Sequence, residues 1–345
     1  MPQPANESWG PDRPGLEAVA VPAVFGLIFA VGLVGNALVV LVSCQAGASV
    51  RRRTAAAGVR RGSNPTDVFI LNLSLADLLL LLLCVPLHAS VYSLSGWPFG
   101  GFACTSGHFL ASVSVLVSIL TLVVLSADRY VAVVLSGRCR YRTRSAALLC
   151  VGLIWTLALA CSVPVAQNHV LTGHPGAPNL TFCWEVWRSG RARRAYKAAA
   201  VVLGFLLPLV LICCSYVTVL FHLHKKMKNI SQKSERVKRK TTQTVFLVIA
   251  AFLICWIPHH VIIMWAEFGR FPLTDASFVF RIASHCLSYG HACVNPVLYA
   301  FLSHKFRRSC CQLLACSRPG ASPPGGSQVR LRMDNLPSTP STTNI

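Results

Sequence analysis

An acidic and a basic residue stand side by side at the end of a long apolar run, in the order Asp128-Arg129-Tyr130. Ionisable side chains at the edge of a membrane are costly and usually mark a functional contact. The apolar run leads directly into a basic segment of the chain. The triplet is therefore interpreted as a latch on the inner side of a helix bundle.

A second acid, Asp77, stands within an apolar run. A carboxyl group in hydrocarbon must find partners, water or an ion, or take up a proton. Asn36, Ser118 and Asn295 stand in other apolar runs and are suitable partners if the helices form a bundle. Two interpretations remain open, a structural polar clamp between helices and an ion- or water-binding switch at mid-membrane.

Four prolines interrupt the later apolar runs, and each frees a backbone carbonyl and permits a kink. They are Pro164, Pro208, Pro258 and Pro296. The indole of Trp256 stands beside the kink at Pro258, which predicts a hinge whose swing a ligand can bias. In the last run, Asn295-Pro296 is followed by Tyr299.

Seven apolar runs carry these residues, and each reaches or exceeds the roughly 20 residues that a helix needs to cross a bilayer. The runs are 18–44, 68–94, 102–135, 146–166, 195–221, 244–265 and 278–302. The chain is 54% hydrophobic and 12% charged, whereas soluble domains carry roughly a quarter charged residues. The sequence predicts an all-α membrane protein, a seven-transmembrane helix bundle with a short amphipathic cytoplasmic helix.

Lysine and arginine indicate which end of the chain lies inside. One side of the predicted membrane holds 23 of them and the other side six, so the positive-inside rule places the N-terminus outside and the C-terminus inside. The net charge of +21 needs no nucleic acid to explain it. Most of it forms a cytoplasmic collar suited to membrane lipids with anionic headgroups and to acidic protein surfaces. We expect a multi-pass protein of the plasma membrane.

Most of the 15 cysteines lie inside the apolar runs, where a thiol behaves as a small hydrophobe. Cys104 and Cys183 fall on the outer side, where oxidation persists. We expect a disulfide between them, and two free surface thiols are the alternative. The outer side also carries glycosylation sequons at Asn6 and Asn179.

Four regions are predicted along the chain. They are an extracellular tail at 1–17, the seven-transmembrane domain at 18–302, an amphipathic membrane-surface helix at 303–316 and a disordered cytoplasmic tail at 317–345. The surface helix contains three cysteines that are candidates for palmitoylation, Cys310, Cys311 and Cys316. The tail is rich in Pro, Gly, Ser and Thr and offers hydroxyl groups for phosphorylation.

Two other classes of function are disfavoured. For an enzyme, no catalytic residues are predicted, because His285 and His291 lack a metal-ligand spacing such as His-Glu-x-x-His and no serine elbow or paired carboxylates occur. A transporter is the main alternative from another class. Transporters show internal repeats, and none is detectable in this sequence.

The motifs around Asp128, Trp256 and Asn295, in this order, resemble the rhodopsin-like class of G-protein-coupled receptors over about residues 18–314. The resemblance implies that Asp128 restrains Arg129 at rest and that the freed Arg129 contacts a G protein. It also implies that Tyr216 and Tyr299 join Arg129 on activation. Because helix six starts with basic residues, no acid there locks Arg129, and raised basal activity is a hypothesis.

The same resemblance implies a sodium pocket formed by Asp77, Asn36, Ser118 and Asn295. This chain departs from the family there, since His291 and Ala292 stand where Asn and Ser are usual. Sodium modulation is therefore an open question, and no other cofactor is predicted.

Further segments resemble the galanin receptors, type 1 in particular. They are Phe182-Cys183-Trp184-Glu185-x-Trp187, His224-Lys225-Lys226-x-Lys228-Asn229, Pro258-His259-His260, Trp265-Ala266-Glu267-Phe268-Gly269 and Phe271-Pro272-Leu273-Thr274-x-Ala276-Ser277-Phe278. This resemblance implies a peptide ligand, galanin or a related peptide such as spexin. It also implies Gi/o proteins that inhibit adenylate cyclase, with arrestin and receptor kinases acting on the tail.

His260, Glu267 and Phe278 match positions implicated in peptide binding in that family. Glu267 is suited to the amino terminus of the peptide, and His260 to a hydrogen bond or a stacking contact. Two departures reshape the expected pocket, because Ala111 replaces an aromatic residue and Ile263 replaces a second histidine. His260 and its neighbour have an alternative interpretation as structural caps on the kinked helix.

Overall fold

The computed structural model describes residues 16–56, 65–135, 142–174, 177–226, 232–272, 274–302 and 306–311. Its helices form a bundle, which confirms the predicted fold class. The first span packs against the second and the seventh, the third against the second, fourth and fifth, and the sixth against the seventh. The third span is therefore the central element.

The helices of the described part follow the apolar runs, and the first and sixth spans extend well beyond theirs. They are α1 (Leu16–Ala56), α2 (Pro65–Leu79), α3 (Val85–Ser93), α4 (Gly100–Val133), α5 (Arg144–Asn168), α6 (Gly190–Val201), α7 (Leu207–Lys226), α8 (Gln232–Phe268) and α9 (Asp275–Leu302). Helices α2 and α3 together form the second span, and α6 and α7 form the fifth. Residues 306–311 are also helical.

Six spans within the described residues are long and apolar enough to cross a membrane. The seventh, α9, has 28 residues and is more polar than the others. Its polar side chains are largely buried against neighbouring helices, as Ser284, Ser288, His291 and Asn295 illustrate. The polar face of α9 thus points into the bundle, where it meets the polar residues of the second and third spans.

A π-helical turn joins the two halves of the second span at Leu80–Cys84, and another joins those of the fifth span at Val202–Leu206. The backbone N–H of Val85 donates to Leu80, and that of Leu207 to Val202. Each turn ends just before a proline, Pro86 or Pro208. Proline has no N–H and crowds the preceding turn, and the wider π turn accommodates it.

The first helix is longer than predicted. The sequence places the end of the first apolar run at residue 44, but α1 continues to Ala56, so the segment that follows this run is also helical. Residues 57–64 lie outside the described part. Gly35 in this helix lies so close to the seventh span that an added Cβ would come within 2.8 Å of Pro296.

The second outer loop forms an antiparallel hairpin of β1 (His169–His174) and β2 (Ala177–Glu185). An all-α prediction did not include these strands. The hairpin pairs His169 with Glu185 and Leu171 with Cys183. Cys183 is disulfide-bonded to Cys104 at the start of α4, with the two Cα atoms 5.6 Å apart. This bond confirms the predicted pairing and holds the hairpin over the third span.

Candidate functional site

Asp77 is fully buried at the middle of the bundle. Its carboxylate accepts hydrogen bonds from Ser118 Oγ at 2.9 Å and from Asn295 Nδ2 at 3.0 Å. The Nε2 atom of His291 lies 3.8 Å from Asp77 Oδ1. The structure thus brings together three of the four residues predicted for a sodium pocket, with a histidine added to them.

The fourth predicted residue, Asn36, forms hydrogen bonds with residues other than Asp77. Its amide nitrogen donates to the backbone oxygens of Gly32 at 2.9 Å and Ala292 at 2.8 Å. Asn36 therefore joins the first span to the seventh, and its amide group makes no bond to Asp77 within the described residues. The bond to Ala292 is the one that crosses between the two spans, and it stabilises their contact.

Trp256, at the predicted hinge, is buried above this polar cluster and is 4% exposed. Its ring centroid lies 5.0 Å from that of His291 and 6.0 Å from that of His260. Pro258 lies inside α8, one turn or less from the indole. The hinge residues are thus in contact with the polar cluster below and with a predicted ligand-binding histidine above.

At the end of the third span that is predicted to lie inside, Asp128 is buried and Arg129 is exposed. Arg142 Nε donates to Asp128 Oδ1 at 2.7 Å, and Thr66 Oγ1 donates to Oδ2 at 2.6 Å. Within the described residues, Asp128 makes no ion pair with Arg129, the partner that the family resemblance implies. The carboxylate raises the pKa of the Arg142 guanidinium through this hydrogen bond.

Two further residues were predicted to join Arg129 on activation. Tyr216 is half-buried in α7. Tyr299 and the predicted kink at Pro296 lie in α9, and the side chain of Tyr299 is outside the described part. Tyr130 is half-buried beside Arg129. The contacts of these tyrosines with Arg129 therefore stay a prediction.

At the opposite end of the bundle, which is predicted to lie outside, Glu267 accepts a hydrogen bond from Arg193 Nε at 3.0 Å. One of the arginines at the start of the fifth span thus has an acidic partner from another span. The pair joins the start of the fifth span to the end of the sixth. Phe278 lies under the guanidinium of Arg281, which is 5.3 Å from the centroid of its ring.

A second ion pair lies nearby, between Glu185 and Lys197. Lys197 Nζ is 2.8 Å from Glu185 Oε2, and Trp187 Nε1 donates to Oε1 at 2.8 Å. Burial alone would raise the pKa of Glu185, but Lys197 and the hydrogen bonds outweigh it and hold this pKa below its usual range. Glu185 is the last residue of β2, so the pair fixes the hairpin to the fifth span.

Among the predicted ligand-binding residues, His260 lies between Phe205 and Trp256, with ring centroids 4.7 Å and 6.0 Å away. Both of its ring nitrogens are buried and have no hydrogen-bond partner in the described residues. Ile263 is half-buried one turn further along the helix. Ala111 is buried in an apolar cluster of the first, second and seventh spans.

A cluster of three histidine rings was not predicted. The ring centroids of His88 and His108 are 4.8 Å apart, and those of His108 and His169 are 4.1 Å apart. The three residues come from the second span, the third span and the hairpin. No local signal in the sequence joins them, because their contact depends on how these three segments are placed around the bundle.

Only some of the predicted modification sites lie within the described residues. Cys310 is half-buried and Cys311 is exposed on the helical residues 306–311. Asn179 is in β2, and its side chain is not described. Asn6 and Cys316, with the tail at 317–345, lie outside the described residues. Glycosylation and palmitoylation therefore stay predictions.

Comparisons with known proteins agree with this architecture. The family 7 transmembrane receptor (rhodopsin family) matches residues 54–299. Galanin receptor type 1 of Homo sapiens is 47% identical over an alignment of 346 residues. The alignment covers 97% of this chain and 95% of the human protein. Type 1 of Rattus norvegicus is 48% identical over 326 residues, or 94% of this chain and 90% of the rat protein. Galanin receptor type 2 of Mus musculus is 39% identical over 309 residues, or 89% of this chain and 77% of the mouse protein.

Proposed function

Because the chain belongs to the rhodopsin family of seven-transmembrane receptors and to the galanin receptors within it, we propose that it binds a neuropeptide. The ligand of first choice is galanin, and the second is a related peptide such as spexin. The receptor signals through Gi/o and inhibits adenylate cyclase. Receptors of this family are not enzymes, and membership of the family also argues against the transporter alternative.

The observation that most directly supports a ligand is the unsatisfied ring of His260. Buried polar groups in folded proteins nearly always have a hydrogen-bond partner, yet both nitrogens of this ring lack one in the described residues. The ring lies above the Trp256 hinge. A ligand that donates to or accepts from His260 satisfies it and presses on the hinge, which links binding to activation.

Glu267 is proposed to bind the peptide together with Arg193. Its carboxylate is engaged by Arg193, so the amino terminus of a peptide has to share or displace that arginine. Binding at Glu267 therefore changes the contact between the fifth and sixth spans. A ligand group that bridges both residues fits this site better than an isolated cation.

Inside the cell, the exposed Arg129 is the proposed contact for the G protein. The N-terminus then lies outside the plasma membrane and the C-terminus inside. Arrestin and receptor kinases act on the tail, and the basic collar binds anionic membrane lipids. No nucleic acid is involved.

The proposal is tested by inhibition of forskolin-raised cAMP in cells that express the full chain. Galanin and spexin are titrated in parallel, with pertussis toxin as the control for Gi/o. Toxin-sensitive inhibition by galanin is the expected result. Absence of a response to both peptides at verified surface expression contradicts the proposed ligand class. Peptide-stimulated GTPγS binding to membranes separates a receptor from a transporter.

Variants test the proposed contacts. His260→Ala is expected to raise the galanin concentration for half-maximal response about tenfold, since one hydrogen bond of about 1.4 kcal/mol corresponds to that factor. Glu267→Gln is expected to act in the same direction. Asp275→Asn is the matched control, because Asp275 is an exposed outer acid at the start of α9. Equal responses of all three variants contradict the proposed site.

A further inference from the structure

The polar cluster around Asp77 adjoins a small cavity below Trp256. The cavity has a volume of about 30 Å³, and its lining includes Ser118, His291 and Asn295. A water molecule needs roughly 10–15 Å³ of such space, so one or two waters fit. The cluster is closed off from the surroundings of the bundle, since Asp77 and Ser118 are at most 1% exposed.

The side chains of the cluster do not suit the sodium ion that the family resemblance implies. A hard cation prefers oxygen ligands, but His291 presents a ring nitrogen to Asp77 and Ala292 has no side-chain oxygen. Asn295 turns its amide nitrogen toward the carboxylate. Ser118 donates its hydroxyl hydrogen to the same carboxylate. Asn295 and Ser118 thus each turn a donor hydrogen to the carboxylate, and His291 faces it with a nitrogen.

His291 is suited to bind water instead. Its Nδ1 is in short contact with the backbone oxygen of Ser288, which places the ring proton on Nδ1 because a carbonyl oxygen only accepts. Nε2 is then an acceptor. It is buried without a partner in the described residues, and it belongs to a side chain that is 8% exposed. A water in the adjoining cavity donates to this nitrogen.

We propose that the His291 ring and water in the adjoining cavity fill the place of a sodium ion opposite Asp77, so that this receptor does not depend on sodium. The carboxylate keeps its neutral donors, Ser118 and Asn295, in the presence and absence of the ion. The spans that meet at Asp77 then hold together without an allosteric metal.

The test measures thermal unfolding of the purified, ligand-free receptor in NaCl and in KCl at equal ionic strength. An ion that binds only the folded state raises the unfolding midpoint. We expect the same midpoint in both salts for the natural chain. The double variant His291→Asn, Ala292→Ser restores oxygen-bearing side chains and is expected to unfold about 2 °C or more higher in sodium.

Cys293→Ser is the matched control, because it changes a neighbouring residue whose thiol donates to the backbone of Ile28 and not to Asp77. A sodium-dependent midpoint in the natural chain overturns the proposal. A folded double variant without a sodium response also overturns it, since His291 is then not what excludes the ion. The measurement needs no peptide, so its outcome is independent of the proposed ligand.

Discussion

Two buried acids of the bundle are held in opposite ways. Asp77 at mid-membrane accepts from two neutral donors, Ser118 and Asn295. Asp128 at the inner end is paired with the guanidinium of Arg142, which is 30% exposed. A charge pair at the edge of the membrane keeps contact with water, whereas a full charge pair at the centre would lose hydration at a cost of several kcal/mol per ion.

The largest effect is expected from removing the central acid. Asp77→Ala leaves Ser118 and Asn295 as buried donors without their acceptor, at a cost of about 1–3 kcal/mol for each group. Thermal unfolding of the purified receptor measures the loss. Asp77→Asn keeps an acceptor oxygen and is the control. Equal stability of the two variants would show that the neutral donors do not need this acceptor.

Removal of the inner acid is expected to cost less. Asp128→Ala removes the carboxylate that pairs with Arg142, but water can reach this partly exposed side chain, so the expected loss is about 1–2 kcal/mol. The same unfolding measurement applies. If Asp128→Ala lost more stability than Asp77→Ala, a buried acid at the centre of the bundle would not matter more to stability than one at its edge.

Arg142 is expected to affect signalling more than stability. Arg142→Ala frees Asp128 to pair with Arg129, so basal GTPγS binding should fall about fivefold, which corresponds to a coupling free energy of about 1 kcal/mol. Arg144→Ala is the matched control, because Arg144 is an exposed base two residues away. A rise in basal activity would mean that Arg142 holds the receptor at rest.

The smallest effect concerns a third acid, Glu185, at the outer surface. Lys197→Met removes its cation and is expected to cost about 1 kcal/mol or less, because the pair is partly solvated. The pKa of Glu185 is lowered in the folded state. The contribution is therefore complete above the usual carboxyl range and is lost as the pH falls through the lowered pKa.

Unfolding midpoints of Lys197→Met and the natural chain, measured from about pH 7 down to about pH 3, should accordingly converge at the acidic end. Arg191→Met, at an exposed base in the same helix, should show no such convergence. A gap that stays constant with pH would indicate that Lys197 contributes through packing rather than through charge.

The sequence predicted those features that depend on local composition. The seven spans follow from runs of apolar residues, and the Cys104–Cys183 bond follows from the side of the membrane on which each residue falls. The motifs around Asp128 and Asn295 identified the family. The burial of Asp77 with Ser118 and Asn295 was also expected from their placement in three different spans.

The sequence did not predict the partners that depend on how the spans are rotated against one another. Arg142 for Asp128, Arg193 for Glu267 and Lys197 for Glu185 each come from a different segment than the acid. Basic residues are common in those segments, so composition cannot select one of them. The histidine cluster was missed for the same reason. The hairpin was missed because the prediction followed apolar runs long enough to cross a membrane, and its strands have only six and nine residues.

The two π-helical turns have a consequence for how such receptors diversify. A π turn holds one residue more than an α turn, and each residue advances a helix by about 100°. Loss of one residue within Leu80–Cys84 would therefore swing the side chains of Val85–Ser93 around the helix axis and leave Pro65–Leu79 in place. A single-codon deletion or insertion at this joint can thus redirect the half of the span that holds His88 while the half that contacts Asp128 is inherited unchanged.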